Sequence, residues 1–390
     1  MGELSNQRLG RYINREMGGE VVRAFVPPPL PPDPPVRLDG LQLLFEQANQ
    51  SLGRLDGMAS ILPDLELFIY AYVRKEALLS SQIEGTQSSL SDLLLFENDE
   101  APGVPMQDVR EVSNYVAALK HGLARLRGGF PLSLRLIREI HEVLLSKGRG
   151  STKEPGEFRR TQNWIGGTRP GNAAFVPPPP DHVMECMGAL EKFLHEERTD
   201  LPPLIRAGLV HVQFESIHPF LDGNGRLGRL LITFLLCASG ALSEPILYLS
   251  LFFKTNRQSY YDLLMRVRET GDWEAWMEFF LRGVKEAADQ AVNSARRIRE
   301  LLDSDRKKIE ALGRPAASVL RVFQHAQTSP IFSIQMTVRK TGVSFPTVNA
   351  SVGHMRKLGV LREITGKRRR RLFVYEAYLK ILSEGTEPLD

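Results

Sequence analysis

Over most of the chain, apolar residues recur at three- and four-residue spacing, the period of amphipathic helices. Leu41, Leu44 and Phe45, then Leu65, Phe68, Ile69, Tyr72 and Val73, mark two such helices, and Gly85 stands where the second should stop. A second helical block is predicted from about Val109 to Leu145, broken by Gly128, Gly129 and Pro131. Helical patterning returns near His182 and runs to about Leu312, with a break between Ile217 and Gly225. Two stretches resist a helix. Pro27, Pro28, Pro29, Pro31, Pro32, Pro34 and Pro35 remove backbone donors and favour extended conformation, which predicts an N-terminal arm. Residues 156–180, rich in glycine and proline around Trp164, Ile165, Phe175 and Val176, predict a loop containing a hairpin.

The last part changes character. Ser333 suits the cap of a short helix ending at Gly342, and Ser344 with Pro346 suits the start of another running to Leu358, which is helix-turn-helix spacing. Short strands at 361–364 and 372–375, joined by a turn at Gly366, would add a wing.

Composition changes this picture little. Apolar residues are 42% and charged residues 25% of 390, an ordinary globular balance for a chain long enough to hold two or three packed units. A formal charge of +4 matters only through placement, because Arg356, Lys357, Arg362 and the run 367–371 gather basic residues near the end. Cys186 and Cys237 are far apart and match no disulfide or zinc pattern, which suits a reducing cytosol. The N-terminus lacks a basic start followed by an apolar stretch, and the apolar run 230–238 is about half of the roughly 20 residues a membrane span needs. A cytoplasmic protein with no membrane partner is expected.

Residues 218–229 carry the chemistry: His-Pro-Phe-Leu-Asp-Gly-Asn-Gly-Arg-Leu-Gly-Arg, set between two predicted helices. Gly223, Asn224 and Gly225 can turn successive N–H groups toward an anion, at the positive end of the following helix. Arg226 and Arg229, three residues apart in its first turn, suit two phosphates of one polyphosphate. Asp222 repels phosphate itself, but suits a Mg²⁺ that bridges phosphates. His218 has the type and placement of a general base. No GxxxxGK[ST] is present, which excludes a P-loop.

This segment resembles the Fic motif HxFx[DE]GNGRxxR at every fixed position, and His211, Phe214, Glu215 and Ile217 resemble the helix leading into it. The resemblance implies a mainly α protein: a Fic-domain helical bundle with a β-hairpin flap, an N-terminal helical region before it and a winged helix-turn-helix domain after it. Expected boundaries are 1–105 for the Pro-rich arm and helical region, 106–285 for the catalytic core, 286–320 for a connecting helix and 321–390 for the winged helix. The implied activity is protein adenylyltransfer, moving AMP from ATP to Ser, Thr or Tyr hydroxyls of target proteins and of the enzyme itself. His218 is then the base, Asp222 the Mg²⁺ ligand, Gly223 to Gly225 the phosphate cradle, Arg226 the α/β-phosphate contact and Arg229 the γ-phosphate contact, with Leu227 and Gly228 in the same ATP-binding turn. Gly225, where kinase-type members carry Lys, argues for nucleotidyl transfer.

Residues 80–85, Ser-Ser-Gln-Ile-Glu-Gly, are similar to the family's inhibitory pattern [ST]xxxE[GN]. Ser80 and Glu84 lie one turn apart on one helix face, so the serine can steady the helix end while the carboxylate projects toward Arg229, with Gly85 closing the helix. Ile165, Gly166 and Gly167 resemble the edge of the target-binding flap, and Asn256, Tyr260 and Tyr261 the surroundings of adenine; of two consecutive tyrosines, one can be core. The winged helix resembles that of bacterial members with this layout and leaves DNA and protein contact equally open. A homodimer is compatible with all of this. Two other readings stand beside it: a DNA-binding regulator that uses the Fic core as a nucleotide sensor, and a bifunctional enzyme that also removes AMP.

Overall fold

The computed structural model describes residues 7–61, 65–97, 105–196, 201–366 and 370–388. It opens with an element that the helical period could not reveal: strands β1 (Arg11–Met17) and β2 (Glu20–Val26) pair antiparallel, Arg11 opposite Val26 and Met17 opposite Glu20. Gly18 and Gly19 both take positive φ, as a two-residue hairpin turn that follows strand twist requires. The proline segment after it is no free arm. Arg8 donates to the carbonyls of Pro34 and Pro35 and pairs with Glu274, and the Gln213 amide donates to Pro28 O at 2.8 Å.

Helices follow in the predicted order. They are α1 (Gln42–Ile61), α2 (Leu65–Ile83), α3 (Leu90–Glu97), α4 (Met106–Arg127), α5 (Leu134–Leu144), α6 (Pro180–His195), α7 (Pro203–Ile217), α8 (Asn224–Ala238), α9 (Ser250–Thr255), α10 (Arg257–Thr270) and α11 (Trp273–Glu310). The Gly128-Gly129 and Pro131 break separates α4 from α5, and these two helices pack together, as do α7 and α8. Helix α8 is apolar nearly all round because α7, α5, α4 and α2 surround it. Its first turn is therefore held from four sides. Trp276 of α11 is fully buried, donates from Nε1 to Gly208 O at 3.0 Å, and meets the rings of His211, Phe253, Tyr260, Phe279 and Phe280.

The C-terminal unit comprises α12 (Ala316–Thr328), β3 (Ile331–Ser333), α13 (Ile334–Thr341), α14 (Phe345–Lys357), β4 (Arg362–Glu363), β5 (Leu372–Val374) and α15 (Glu376–Ser383), its strands ordered β3-β5-β4 and antiparallel. Ser333 and Ser344 cap α13 and α14 by accepting from the N–H of Met336 and Thr347, and Gly342 ends α13 with φ of 68°. The unit shares one apolar core with the helices before it, and Tyr375 donates to Asp305 of α11 at 2.7 Å.

Its basic face is paired in part from within. Arg356 and Arg371 lie 3.8 and 3.5 Å from Glu363, and Arg362 makes two bonds to Glu376. Residues 367–369 of the basic run lie outside the described residues. Cations engaged by carboxylates are less available to a phosphate backbone, and nothing in these contacts adds support to the DNA-binding expectation. No helix among the described residues is long and apolar enough to cross a membrane.

Replacing Trp276 by Ala is expected to cost about 3–5 kcal/mol, the range for emptying a buried aromatic site. Urea denaturation would measure it, and a loss below 1 kcal/mol would remove Trp276 from its central place in the core.

Candidate active site

Helix α7 ends at Ile217, and His218 caps it in the left-handed region, φ 49° and ψ 59°. A non-glycine residue rarely takes that conformation, so the surroundings must enforce it. They do so through carbonyl oxygens. Arg159, only 2% exposed, donates from Nε to His218 O at 2.9 Å and from Nη2 to Pro178 O at 2.5 Å, and Asn163 Nδ2 donates to Phe220 O at 2.8 Å. The Asn224 amide closes the turn on itself, accepting from Phe220 N–H and donating to Phe220 O, both at 2.9 Å. His141 Nδ1 accepts from Gly156 N–H, which leaves Nε2 to donate to Asp222 O at 2.9 Å, and its ring stacks on Phe220. Gly223, with φ of 78°, then leads into α8.

Both motif arginines lie buried near that end of α8, Arg226 in its first turn and Arg229 in its second, where the positive end of the helix disfavours a cation. Each has been given a carboxylate. Arg226 bonds Glu111 of α4 at 3.1 Å and Asp222 at 3.2 Å. Arg229 bonds Glu84 at the end of α2 at 2.8 Å, while its Nε donates to Ser80 Oγ at 2.8 Å and its Nη2 to Ser80 O at 2.9 Å. Ser80 therefore serves as a ligand of Arg229 and not as the brace of its own helix end. Gly85 ends the segment with φ of 99°. A Cβ on the middle glycine, Gly225, would lie 2.3 Å from the Glu84 carboxylate, so a side chain there would have to displace Glu84 from its present position.

Other expected ATP contacts fall elsewhere. Leu227 is fully buried in the core, and Gly228 faces Glu215 and Phe214, with its carbonyl on His211; both belong to the inner face of α8. Asn224 spends its side chain on the turn. Tyr260 is 1% exposed with its hydroxyl 2.9 Å from His211 Nε2, so it is a core residue and no adenine platform. Tyr261 is half-buried, and Asn256, also partly exposed, donates to Phe252 O.

The loop before α6 does contain a hairpin, reduced to one bridge: Ile165 and Phe175 exchange both backbone bonds, at 2.8 and 3.1 Å. Gly166 and Gly167 follow with φ near 70° and are exposed. On the other flank Phe25 N–H of β2 donates to Val176 O at 2.9 Å, and Glu20 pairs with Arg169.

Burial sets the protonation of the site. His218 and His211 are pushed down to about 3, and His141 and His325 to about 4, by burial in every case, with nearby arginines adding to it for the first three. Burial moves two carboxyls the opposite way, Glu76 and Glu215 both to about 7. Around Glu84 desolvation also works upward, but Arg229 outweighs it and the carboxyl ends below its usual range.

The consequence for stability has a definite sign. A histidine that stays neutral when folded contributes its full stability above about pH 6.5 and loses it as pH falls toward its folded value. A carboxyl raised to about 7 gains stability over the same descent, because only the fold keeps its proton. Two carboxyls offset two of the four histidines, leaving a net loss of roughly 3 kcal/mol per pH unit between about pH 6 and 5. Thermal melts from pH 7.5 to 5 should show the melting temperature falling from near pH 6.5, and Glu76→Gln should steepen the fall. A flat curve would contradict the buried neutral histidines.

Comparison with known proteins agrees with this geometry. The Fic/DOC family N-terminal profile matches residues 42–124 and the Fic/DOC family profile residues 131–236. Curated relatives named protein adenylyltransferase Fic include that of Drosophila grimshawi, 32% identical over 50% of this chain and 38% of the relative. That of Drosophila yakuba is 31% identical over 62% and 47%. The chain thus spans less than half the length of these relatives. Among solved structures, a Fic family protein from Desulfovibrio desulfuricans superposes with a TM-score of 0.54 at 20% identity, covering 85% of this chain and 95% of that one. Fic-1 from C. elegans gives 0.54 at 22%, covering 66% and 74%. At such identities the structures speak for the fold alone. With the motif held in the turn between α7 and α8 and both profiles matched, residues 42–124 and 131–236 form the Fic N-terminal and Fic domains of this chain.

Proposed function

We propose that this chain is a protein adenylyltransferase that moves AMP from ATP to a hydroxyl side chain of a protein, and that Glu84 holds it inactive. One observation carries the reading: His218, a backbone turn shaped for anions and two buried guanidiniums converge at the start of α8, and the outer guanidinium is held by a carboxylate from α2. The neutral imidazole of His218 is ready to take the proton of an incoming hydroxyl. The hydroxyl oxygen then bonds the α-phosphorus, the bond to the β-phosphate oxygen breaks, and pyrophosphate leaves. Arg226 suits the α/β-phosphates and Arg229 the γ-phosphate. Since Glu84 occupies Arg229, productive ATP and the inhibitory pair exclude each other.

Asp222 fits a magnesium ligand. Its Oδ1 accepts from Gly223 N–H and Arg226, while Oδ2 has no partner among the described residues, and no cluster of three ligating side chains stands there. One carboxylate beside substrate phosphates is the usual provision for this ion, which would offset phosphate charge when bound. Asn256 and Tyr261, on α10 and its start, remain the candidates for adenine.

With labelled ATP, Glu84→Gly should raise AMP incorporation on the order of tenfold to a hundredfold, the usual scale of coupling between competing occupants. Adding His218→Ala should lower it by roughly 10²–10⁴, the share of a general base. Equal incorporation by wild type and Glu84→Gly would remove the inhibitory reading, and full activity without His218 would remove the catalytic one.

A further inference from the structure

Resting on the adenylyl-transfer reading, we infer that Glu215 is the positioning carboxylate of His218. The two residues lie three apart on the last turn of α7, and the left-handed cap turns the imidazole back over that turn. Glu215 Oε2 stands 3.9 Å from His218 Nδ1. Glu215 is buried and the Nδ1 atom of the half-buried His218 is enclosed, and neither His218 Nδ1 nor Glu215 Oε1 has a hydrogen-bond partner among the described residues.

The cations around the carboxylate are engaged with other atoms. Arg268 of α10 donates to Ser216 Oγ and to the main-chain oxygen of Glu215, Arg229 of α8 to Ser80 and Glu84, and Arg159 to carbonyls. Glu84 and the Tyr260 hydroxyl complete the ionisable surroundings. Space for Glu215 is reserved by Gly228, where a Cβ would lie 2.5 Å from Oε1. This gives a reason for glycine at a position that the phosphate-binding scheme leaves unexplained.

A movement of about 1 Å brings the pair to hydrogen-bond distance. Above about pH 7, where Glu215 is ionised, Nδ1 then keeps its proton toward the carboxylate, and the Nε2 lone pair is left to accept the hydroxyl proton. Once that proton has moved to Nε2, the carboxylate faces an imidazolium and stabilises it.

The test compares Glu84→Gly with Glu84→Gly/Glu215→Gln, using labelled ATP from pH 5 to 9, and reads the His218 tautomer by ¹⁵N NMR in the full chain. The expected result is a kcat roughly 10- to 100-fold lower, a KM for ATP within twofold, an acid limb moved to lower pH and loss of the Nδ1–H form. Unchanged kcat, acid limb and tautomer would overturn the assignment. If Glu84→Gly transfers no AMP, the adenylyl-transfer reading fails, and the tautomer still decides the role of Glu215.

Independent contacts support a second inference: we propose that the segment after α15 locks the inhibitory end of α2. Gln82, between Ser80 and Glu84 and 2% exposed, donates to Ser88 O at 2.9 Å and Thr386 O at 2.8 Å. It accepts from Lys254 at 2.8 Å, and Lys254 also donates to the carbonyls of Gly385 and Glu387. Arg297 fixes Glu384 with two bonds of 2.7 Å, and Gly385 sits against Leu251, where a Cβ would approach to 2.8 Å. Withdrawing Glu84 by moving the end of α2 must break this set. The C-terminal unit is thereby coupled to the active site without touching it.

Lys254→Met in the full chain should raise AMP incorporation several-fold when Glu84 is present and leave it unchanged when Glu84 is Gly. It should also speed amide hydrogen exchange across 78–86. Equal incorporation in the Glu84-containing pair with unaltered exchange, or the same increase in both backgrounds, would refute the lock. Should Glu84→Gly transfer no AMP, the exchange rates alone decide.

Discussion

A guanidinium buried at the N-terminal end of a helix meets two penalties together: lost hydration, and the positive end of the helix dipole. Arg229 pays both, and nothing else around it can move without regard to that debt. The fold must supply an anion there, and it supplies Glu84, brought by α2, with the serine of the same turn engaging the neighbouring donors. Arg226 is treated alike by Glu111. Under the proposed function, an incoming polyphosphate would replace a carboxylate and would not fill a vacant positive pocket.

That requirement organises the elements around α8. Helix α2 must end where it does for Glu84 to reach Arg229, and α4 must pass beside the same turn for Glu111 to reach Arg226. The long helix α11 supports this arrangement from behind through Trp276, and carries the C-terminal unit at its other end. Polar contacts rigidify the turn itself, with Asn224, His141, Arg159 and Asn163 all directed at its carbonyls or amides.

Features encoded within a few residues were legible in the sequence. Ser333 and Ser344 announce helix starts, Gly342 a helix end, and the 218–229 segment declares its turn, because each depends on local backbone preference. Glu84 was legible through the resemblance of residues 80–85 to the inhibitory pattern, since a Ser and a Glu one turn apart are common by themselves. Residues whose roles come from distant partners were not. Glu111 meets Arg226 across 115 positions and Arg159 meets His218 across 59, and no periodicity announces such pairings. The β1–β2 hairpin escaped because its strands are short and charged, and the prolines after it suggested an unpaired arm. Consecutive tyrosines at 260 and 261 could not be told apart until α10 was seen to turn the first inward.

The small sheet by the active site has an asymmetry worth following. Phe25 already covers the Val176 side, and Ile165 spends its own N–H and C=O on Phe175. Alternation along a strand then directs the main-chain groups of Trp164 outward, while Gly166 has already turned away with φ of 69°. Any further strand joining this small sheet beside Ile165 would have to add on the Trp164 side, so the side of approach is set by the backbone before any side chain is read.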